Sequence, residues 1–364
     1  MNLFSKLITI LMILFAPLVA QANEHQESEG EGKVDVKELV FGHIGDSYSW
    51  HIISWHINSQ HTICDITIPL PCIVYGQNGL DVFMSSELGH GGHYKEYKGY
   101  TIAAEGQPNA GKIVEVSTGE RPFDISITKN VLFLFISSGL MLWIFLSISK
   151  RYKEDYWRKP EGKQALLEPL IVMIEKDVIE PCVGKNVEKF SPFLLTVFFF
   201  ILINNYLGLI PVFGSNLTGN IACTMVLAVF TFLVTNFKAG TKHYWLEMIN
   251  PEVPLWLKLP IPLMPLIEII GMFTKPIALC IRLFANMLAG HVMQLVLIGL
   301  IFIFSVNVGI GSGAYGVSVL SCALVIFMTL LECLVCFIQA YVFTTLSALF
   351  IGLAQVEPHE EEHK

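Results

Sequence analysis

Two apolar runs near the end of the chain carry ionisable and amide side chains at helical spacing. In the first, Glu268, Lys275 and Arg282 recur every seven residues, and Asn286 comes four later. On a helix turning about 100° per residue, all four fall within about 40° of one another. They form one polar stripe on an otherwise greasy rod. An arginine at membrane depth costs about 2.5–3.5 kcal/mol on insertion scales. Arg282 does not escape that cost by losing its proton, because a guanidinium pKa stays above about 12. A snorkelling arginine near a helix end is the other reading, which the apolar sequence on both sides weakens, and a permanent positive charge held in a membrane usually serves an ion path. Ala278, Ala285 and Ala289 border the stripe and are small enough to let another membrane helix come close.

His291 lies nine residues past Arg282, about 180° around the helix and about 13 Å further along it. Titratable groups therefore stand on both sides of the arginine, Glu268 before it and His291 after it. In the second run Glu332 and Gln339 are seven apart and share a helix face. If the two runs fold as a hairpin, Glu332 is expected to meet His291 and Gln339 to reach Arg282. A buried carboxylate beside a buried imidazole can hold and release a proton near neutral pH.

The elements that must position these residues can be read from composition. The chain has 364 residues, of which 53% are hydrophobic and only 15% charged, the balance of a membrane protein. A formal net charge of −8 without basic runs argues against a nucleic-acid partner. Residues 1–22 combine a lysine, an apolar core and a small-x-small end, which reads as a secretory signal cleaved after Ala22. An uncleaved anchor is the other reading, and either one exports the segment beginning at Asn23.

Residues 23–124 are polar and are expected to form a small β-rich exported, periplasmic domain. Thr62–Tyr75 is β-branched and broken by prolines, and Lys112–Ser117 alternates. In an exported segment, Cys64 and Cys72 are candidates for a disulfide. His25, His43, His51, His56, His61, His90 and His93 show no metal-ligand spacing and read as scattered surface residues.

Residues 125–356 are expected to be an all-α polytopic membrane domain of about five membrane helices. Val131–Ser149 is the first span, and the loop after it is rich in Lys and Arg. The positive-inside rule places that loop in the cytoplasm. Ala165–Ile179 reads as an amphipathic helix on the membrane surface. Phe193–Phe213 and Ile221–Phe237 cross outward and back, joined by a loop without a basic residue. Pro260–Phe304 and Val317–Ala354 would run about 67 and 57 Å as single helices, against a hydrocarbon core of about 30 Å. They need strong tilt or a break within the membrane, and Gly309–Gly313 separates them into a hairpin. Residues 357–364 are a polar tail expected in the cytoplasm.

The run Arg282–Leu–Phe–Ala–Asn–Met–Leu–Ala–Gly–His291 resembles the signature of subunit a of F-type ATP synthases. Asn204–Asn–Tyr–Leu–Gly–Leu–Ile–Pro211 and Leu331–Phe343 are similar to two further motifs of that family, and the resemblance runs from about Phe123 to the end. It implies a membrane stator facing a ring of c subunits, with a b-subunit stalk and an F1 head as further partners. It places Arg282 opposite the ring's carboxylates. It places Glu268, His291, Glu332, Asn286 and Gln339 along two aqueous half-channels, with Lys275 as support on the cytoplasmic side. The order of His291 and Glu332 is more like the mitochondrial form. No cofactor or metal is implied, and the subunit is not an enzyme by itself. A bacterial inner membrane is the implied location. The rival reading is a stand-alone secondary transporter with an arginine counter-ion, which would often show inverted repeats. The resemblance says nothing about residues 23–124.

Overall fold

The computed structural model describes residues 46–56, 63–76, 79–89, 94–103, 109–154, 162–184, 186–210, 217–249, 263–308 and 312–355. The expected signal segment, the tail 357–364 and the side chains of the seven N-terminal histidines lie outside the described residues.

Strands lie between Ser49 and Asp124. β1 (Ser49–His56) pairs antiparallel with β2 (Ile63–Pro69), with a register irregularity between His51 and Ile53. β3 (Pro71–Gly76) is central to a sheet of order β4-β3-β7, with β4 at Gly79–Met84 and β7 at Phe123–Asp124. β5 (Tyr100–Ile102) pairs with β6 (Ile113–Glu115). The two prolines flanking Leu70 separate β2 from β3, since a proline has no N–H to give a ladder. Alternation then sorts the side chains. Cys72, Val74 and Phe83 enter a core with Tyr48, Leu88, Tyr100 and Ile113, while Tyr75, Leu80, Val82 and Met84 stay exposed.

Cys72 is a free thiol, fully buried in that core. The expected staple to Cys64 is therefore not formed. Cys64 lies on β2, opposite Trp55 of β1, while Cys72 lies on β3 of a different sheet. The side chain of Cys64 lies outside the described residues.

Most of the remaining described chain is helical. α1 spans Lys129–Glu154, and its first turn is capped from far away in sequence. The Lys129 amide donates to the Ser47 carbonyl at 2.9 Å, and the Asn130 amide donates to Asp46 Oδ1 at 3.2 Å. An acidic acceptor at a helix N-terminus satisfies an orphan donor and complements the dipole. Trp50 packs edge-on against Phe133 with ring centroids 5.0 Å apart. The β domain and the start of α1 therefore form a single piece.

α2 (Lys163–Ile174) runs on through a π turn at Glu175–Ile179 and a last turn at Glu180–Val183. Its Ile174, Val178, Ile179 and Val183 are buried in the same core as Leu194, Phe198, Ala348 and Ile351. The segment expected on the membrane surface thus has protein covering its apolar side. α3 is Val187–Leu209, and α4 is Ile221–Leu233, continued by a π turn at Val234–Ala239. Asn220 caps α4 by accepting from the Ala222 amide at 3.0 Å. α5 (Lys242–Ile249) is short. α6 is one helix of 46 residues, Leu263–Val308, and α7 one of 43 residues, Ser312–Ala354. α6 runs without interruption through Pro276.

Among the described residues, four helices are long and apolar enough to cross a membrane: Lys129–Lys153, Val187–Leu209, Ile221–Ala239 and Ser321–Ala354. The protein is a multi-pass membrane protein. Near the end of α7, Gly352 lies against the Cys182 carbonyl so closely that a Cβ there would overlap it. The end of α7 is held against the end of α2 by that contact, and Asn186 donates to Gln355 at 3.1 Å.

Candidate functional site

α6 presents the expected stripe on its uncovered side. Glu268, Arg282 and Asn286 are exposed, as are Ala278, Ala285 and Ala289, while Lys275 is half-buried. The adjoining flank, Leu279, Leu283 and Met287, is buried. A helix that hides leucines and leaves arginine, asparagine and alanines open has a face prepared for a partner. Among the described residues, Arg282 has no ion-pair partner.

One turn beyond Arg282, Asn286 donates to Gln339 Oε1 at 2.7 Å. This corrects one expectation: the Gln339 oxygen is engaged by Asn286 and not by Arg282. The reason is reach, since Asn286 sits on the same stripe with a shorter side chain aimed at α7. Gln339 is 4% exposed, and its Nε2 has no protein partner.

Glu332 is 7% exposed, and neither of its carboxylate oxygens has a hydrogen-bond partner. It fits because Gly290 lacks a side chain: a Cβ on Gly290 would overlap the carboxylate. His291 comes next on α6, and its Nε2 is likewise buried and without a protein partner. Further along, Gln294 donates to Thr329 at 3.4 Å. Most buried polar atoms in proteins are paired, so atoms left unpaired call for a reason. Exchange of a mobile proton or water is such a reason.

Asn205 is a further polar residue of the span, one that helical spacing does not tie to the stripe. It is 1% exposed, donates to the Cys336 carbonyl at 3.4 Å, and leaves its Oδ1 without a partner. Its signal in the sequence is a pair of adjacent asparagines in an apolar span. Glu268 stands apart at the start of α6. Its carboxylate adds to the burial that raises the Tyr244 phenol. The Lys275 ammonium sits 5.5 Å from the centre of the Phe350 ring.

A multi-pass membrane protein with a fixed cation on an open helix face, and unpaired proton-exchanging groups further along, belongs to the class of ion-conducting membrane proteins. Comparison with known proteins narrows this. Residues 131–352 match the family ATP synthase A chain, and residues 39–132 match a domain of unknown function (DUF8433). ATP synthase subunit a of Chloroherpeton thalassium is 42% identical over 246 residues, covering 66% of this chain and 70% of that protein. ATP synthase subunit a 2 of Prosthecochloris aestuarii is 46% identical over 248 residues, covering 66% and 72%. Subunit a of Myxococcus xanthus is 37% identical over 243 residues, covering 66% and 76%. The chain belongs to the ATP synthase A chain family.

Proposed function

We propose that this chain is the proton-conducting stator of a rotary ATP synthase, not an enzyme by itself, and that the open stripe of α6 faces a ring of c subunits. The observation that carries the reading is Arg282, uncovered and flanked by Ala278, Ala285 and Ala289 on one face. In this reading a proton enters from the outer side by way of His291 and Glu332, near Asn286 and Gln339. It neutralises a ring carboxylate and rides nearly a full turn. It leaves near Glu268 on the cytoplasmic side, with Lys275 beside that exit. Arg282 stabilises the deprotonated ring carboxylate and repels a proton crossing directly, with no acid chemistry of its own. ATP is made in the F1 head, which a b-subunit stalk holds against the stator.

Placement accords with the same reading. The protein lies in a bacterial inner membrane, with residues 23–124 outside, residues 357–364 in the cytoplasm, and α6 as a fifth span. At about 69 Å for its 46 residues, α6 must be strongly tilted. The β domain covers or braces the outer face of the stator. A stand-alone transporter is disfavoured by the family to which the chain belongs.

Arg282→Lys tests the reading. The lysine keeps a charge but lacks the planar fork, and it can lose its proton when desolvated. The assembled complex is expected to lose both ATP-driven proton pumping and gradient-driven ATP synthesis. Near-normal synthesis by that variant would overturn the assignment.

A further inference from the structure

The sheet β4-β3-β7 has apolar side chains on both of its faces. One face supplies Cys72, Val74 and Phe83 to the core. On the other, strand pairing sets Tyr75 between Leu80 and Phe123, with Ile73 beside Val82 and Pro71 beside Met84. The Ile125 amide donates to the Ile73 carbonyl at 2.9 Å and carries the face on past β7. Tyr75, Leu80, Val82, Met84, Phe123 and Ile125 are each between 46% and 68% exposed. An antiparallel sheet with one covered face ordinarily turns polar side chains outward. Here the acids lie on the covered side, since Val74 is paired with both Asp81 and Asp124. Asp81 holds Lys98 at 3.1 Å, and Asp124 accepts from Tyr48. Within these strands the open face carries no charge. A contiguous apolar patch marks an interaction surface, and on an edge strand such as β4 it is a hazard unless something covers it.

The place of the patch in the chain points to its cover. Ile125 and Phe123 precede Lys129, the first residue of a membrane-crossing helix, by four and six residues. That is at most about 14 and 22 Å of extended chain. Asp46 and Ser47 hold the first turn of the same helix. Trp50 packs on Phe133, the fifth residue of the span. Tryptophan is enriched at the membrane–water interface, where one part of its ring system is dry and the other wet. Just beyond, Phe135 is 64% exposed and Ile136 43%, as befits the side of a span that lipid covers. The β domain is therefore seated at headgroup depth, with an uncharged sheet face open beside the bilayer.

We infer that the outer face of the β4-β3-β7 sheet is a lipid-binding surface that rests on the phospholipid bilayer entered by α1. Leu80, Val82, Met84, Phe123 and Ile125 dip into the interfacial layer, and Tyr75 lies among them with its hydroxyl at the headgroups. Because the face has no charge, it takes acyl chains and not an anionic headgroup, and salt does not loosen it. The inference concerns the β domain alone and does not rest on the stator reading.

The test places the assembled complex in phosphatidylcholine nanodiscs doped with a phosphatidylcholine that carries a photoreactive diazirine near the top of one acyl chain. Labelled peptides are then counted by mass spectrometry. Peptides holding Leu80–Met84 and Phe123–Ile125 are expected to take up label several-fold more than the exposed stretch Tyr94–Glu96 of the same domain, at low and high salt alike. Val82→Glu combined with Phe123→Glu is expected to bring that uptake down to the level of Tyr94–Glu96, while assembly and proton flux are kept. Val82→Leu combined with Phe123→Leu is expected to retain full labelling. Wild-type strands labelled no more than Tyr94–Glu96 would overturn the lipid face, and a cross-link from them to another subunit would then identify a protein as the cover. Undiminished labelling in the double glutamate variant would overturn it too, because the label would not be reporting this face. Loss of labelling at high salt would overturn its apolar basis.

Discussion

In the β domain, Tyr48 donates to Asp124 at 2.5 Å, the Ile73 amide donates to Ser126 at 3.0 Å, and the Leu70 amide donates to Ser85 at 3.1 Å. Along α6 and α7, both oxygens of Glu332, Nε2 of His291 and Nε2 of Gln339 are buried without a protein partner. The β domain has its exceptions in Trp50 and Thr128, yet its central polar groups are closed into pairs. A pair adds stability, about 1 kcal/mol net for a typical hydrogen bond. An unpaired buried group subtracts it, and is retained where something must bind and leave. The β domain uses polarity to hold its shape. The long helices leave buried polar atoms without partners.

Replacing an open group should therefore remove function and spare stability, and Glu332→Leu is the sharpest case. Proton flux is expected to fall by about a hundredfold, the usual scale for losing a proton-transfer group. The assembled complex should melt at the same temperature or higher, because an apolar side chain suits that site better than an unpaired acid. A variant that both pumps normally and melts lower would reverse the comparison. Gly290→Ala tests the same carboxylate from the other side, since the new methyl displaces it without removing it. Flux should drop by about tenfold, a modest misplacement effect, while assembly on a native gel stays unchanged.

Breaking a closed pair should do the opposite. Tyr48→Phe strands the Asp124 oxygen and is expected to cost about 1–2 kcal/mol in the β domain. Hydrogen exchange in the intact complex should show faster exchange at the Ile113 and Ile73 amides, with proton flux unaltered. A large loss of flux would mean that this domain takes part in the proton step.

The smallest effect concerns pH. Burial, with Asp124 adding to it, lifts the Cys72 thiol from its ordinary 9.0 to about 11. The folded domain therefore holds this proton more tightly than the unfolded chain does. The stabilisation is full below about pH 9 and is lost as pH rises through about 11. Melting curves of wild type should slope downward across that window more steeply than those of Cys72→Ala. Equal slopes would mean that the thiol is not buried.

Membrane helices were legible because composition suffices for them. The spans expected at Val131–Ser149 and Val317–Ala354 are contained in α1 and α7, and α6 covers residues 263–304 of the run expected at Pro260–Phe304. The polar stripe was legible too, since helical spacing alone decides which residues share a face. Partner choice was not. That Gln339 would be taken by Asn286 depends on how α7 packs against α6, which periodicity does not encode. The π turn after Leu233 was invisible for a similar reason. Val234–Thr–Asn–Phe–Lys–Ala239 contains no proline or glycine to signal it. The buried side of α2 was hidden as well, because an amphipathic pattern looks the same whether lipid or protein covers it.

The capping of α1 by Asp46 and Ser47 has a mechanical consequence. The two family matches meet at residues 131–132, and no flexible tether lies at the seam. Backbone and carboxylate acceptors from the β domain grip the first turn of the helix directly. A stator must withstand the reaction torque of the rotor it faces. With this joint, a twist applied to the first turns of α1 is carried straight into the β domain with little slack, so the domain moves as the helix's rigid head. Any fixed surface the domain leans on then becomes a second footing for the stator.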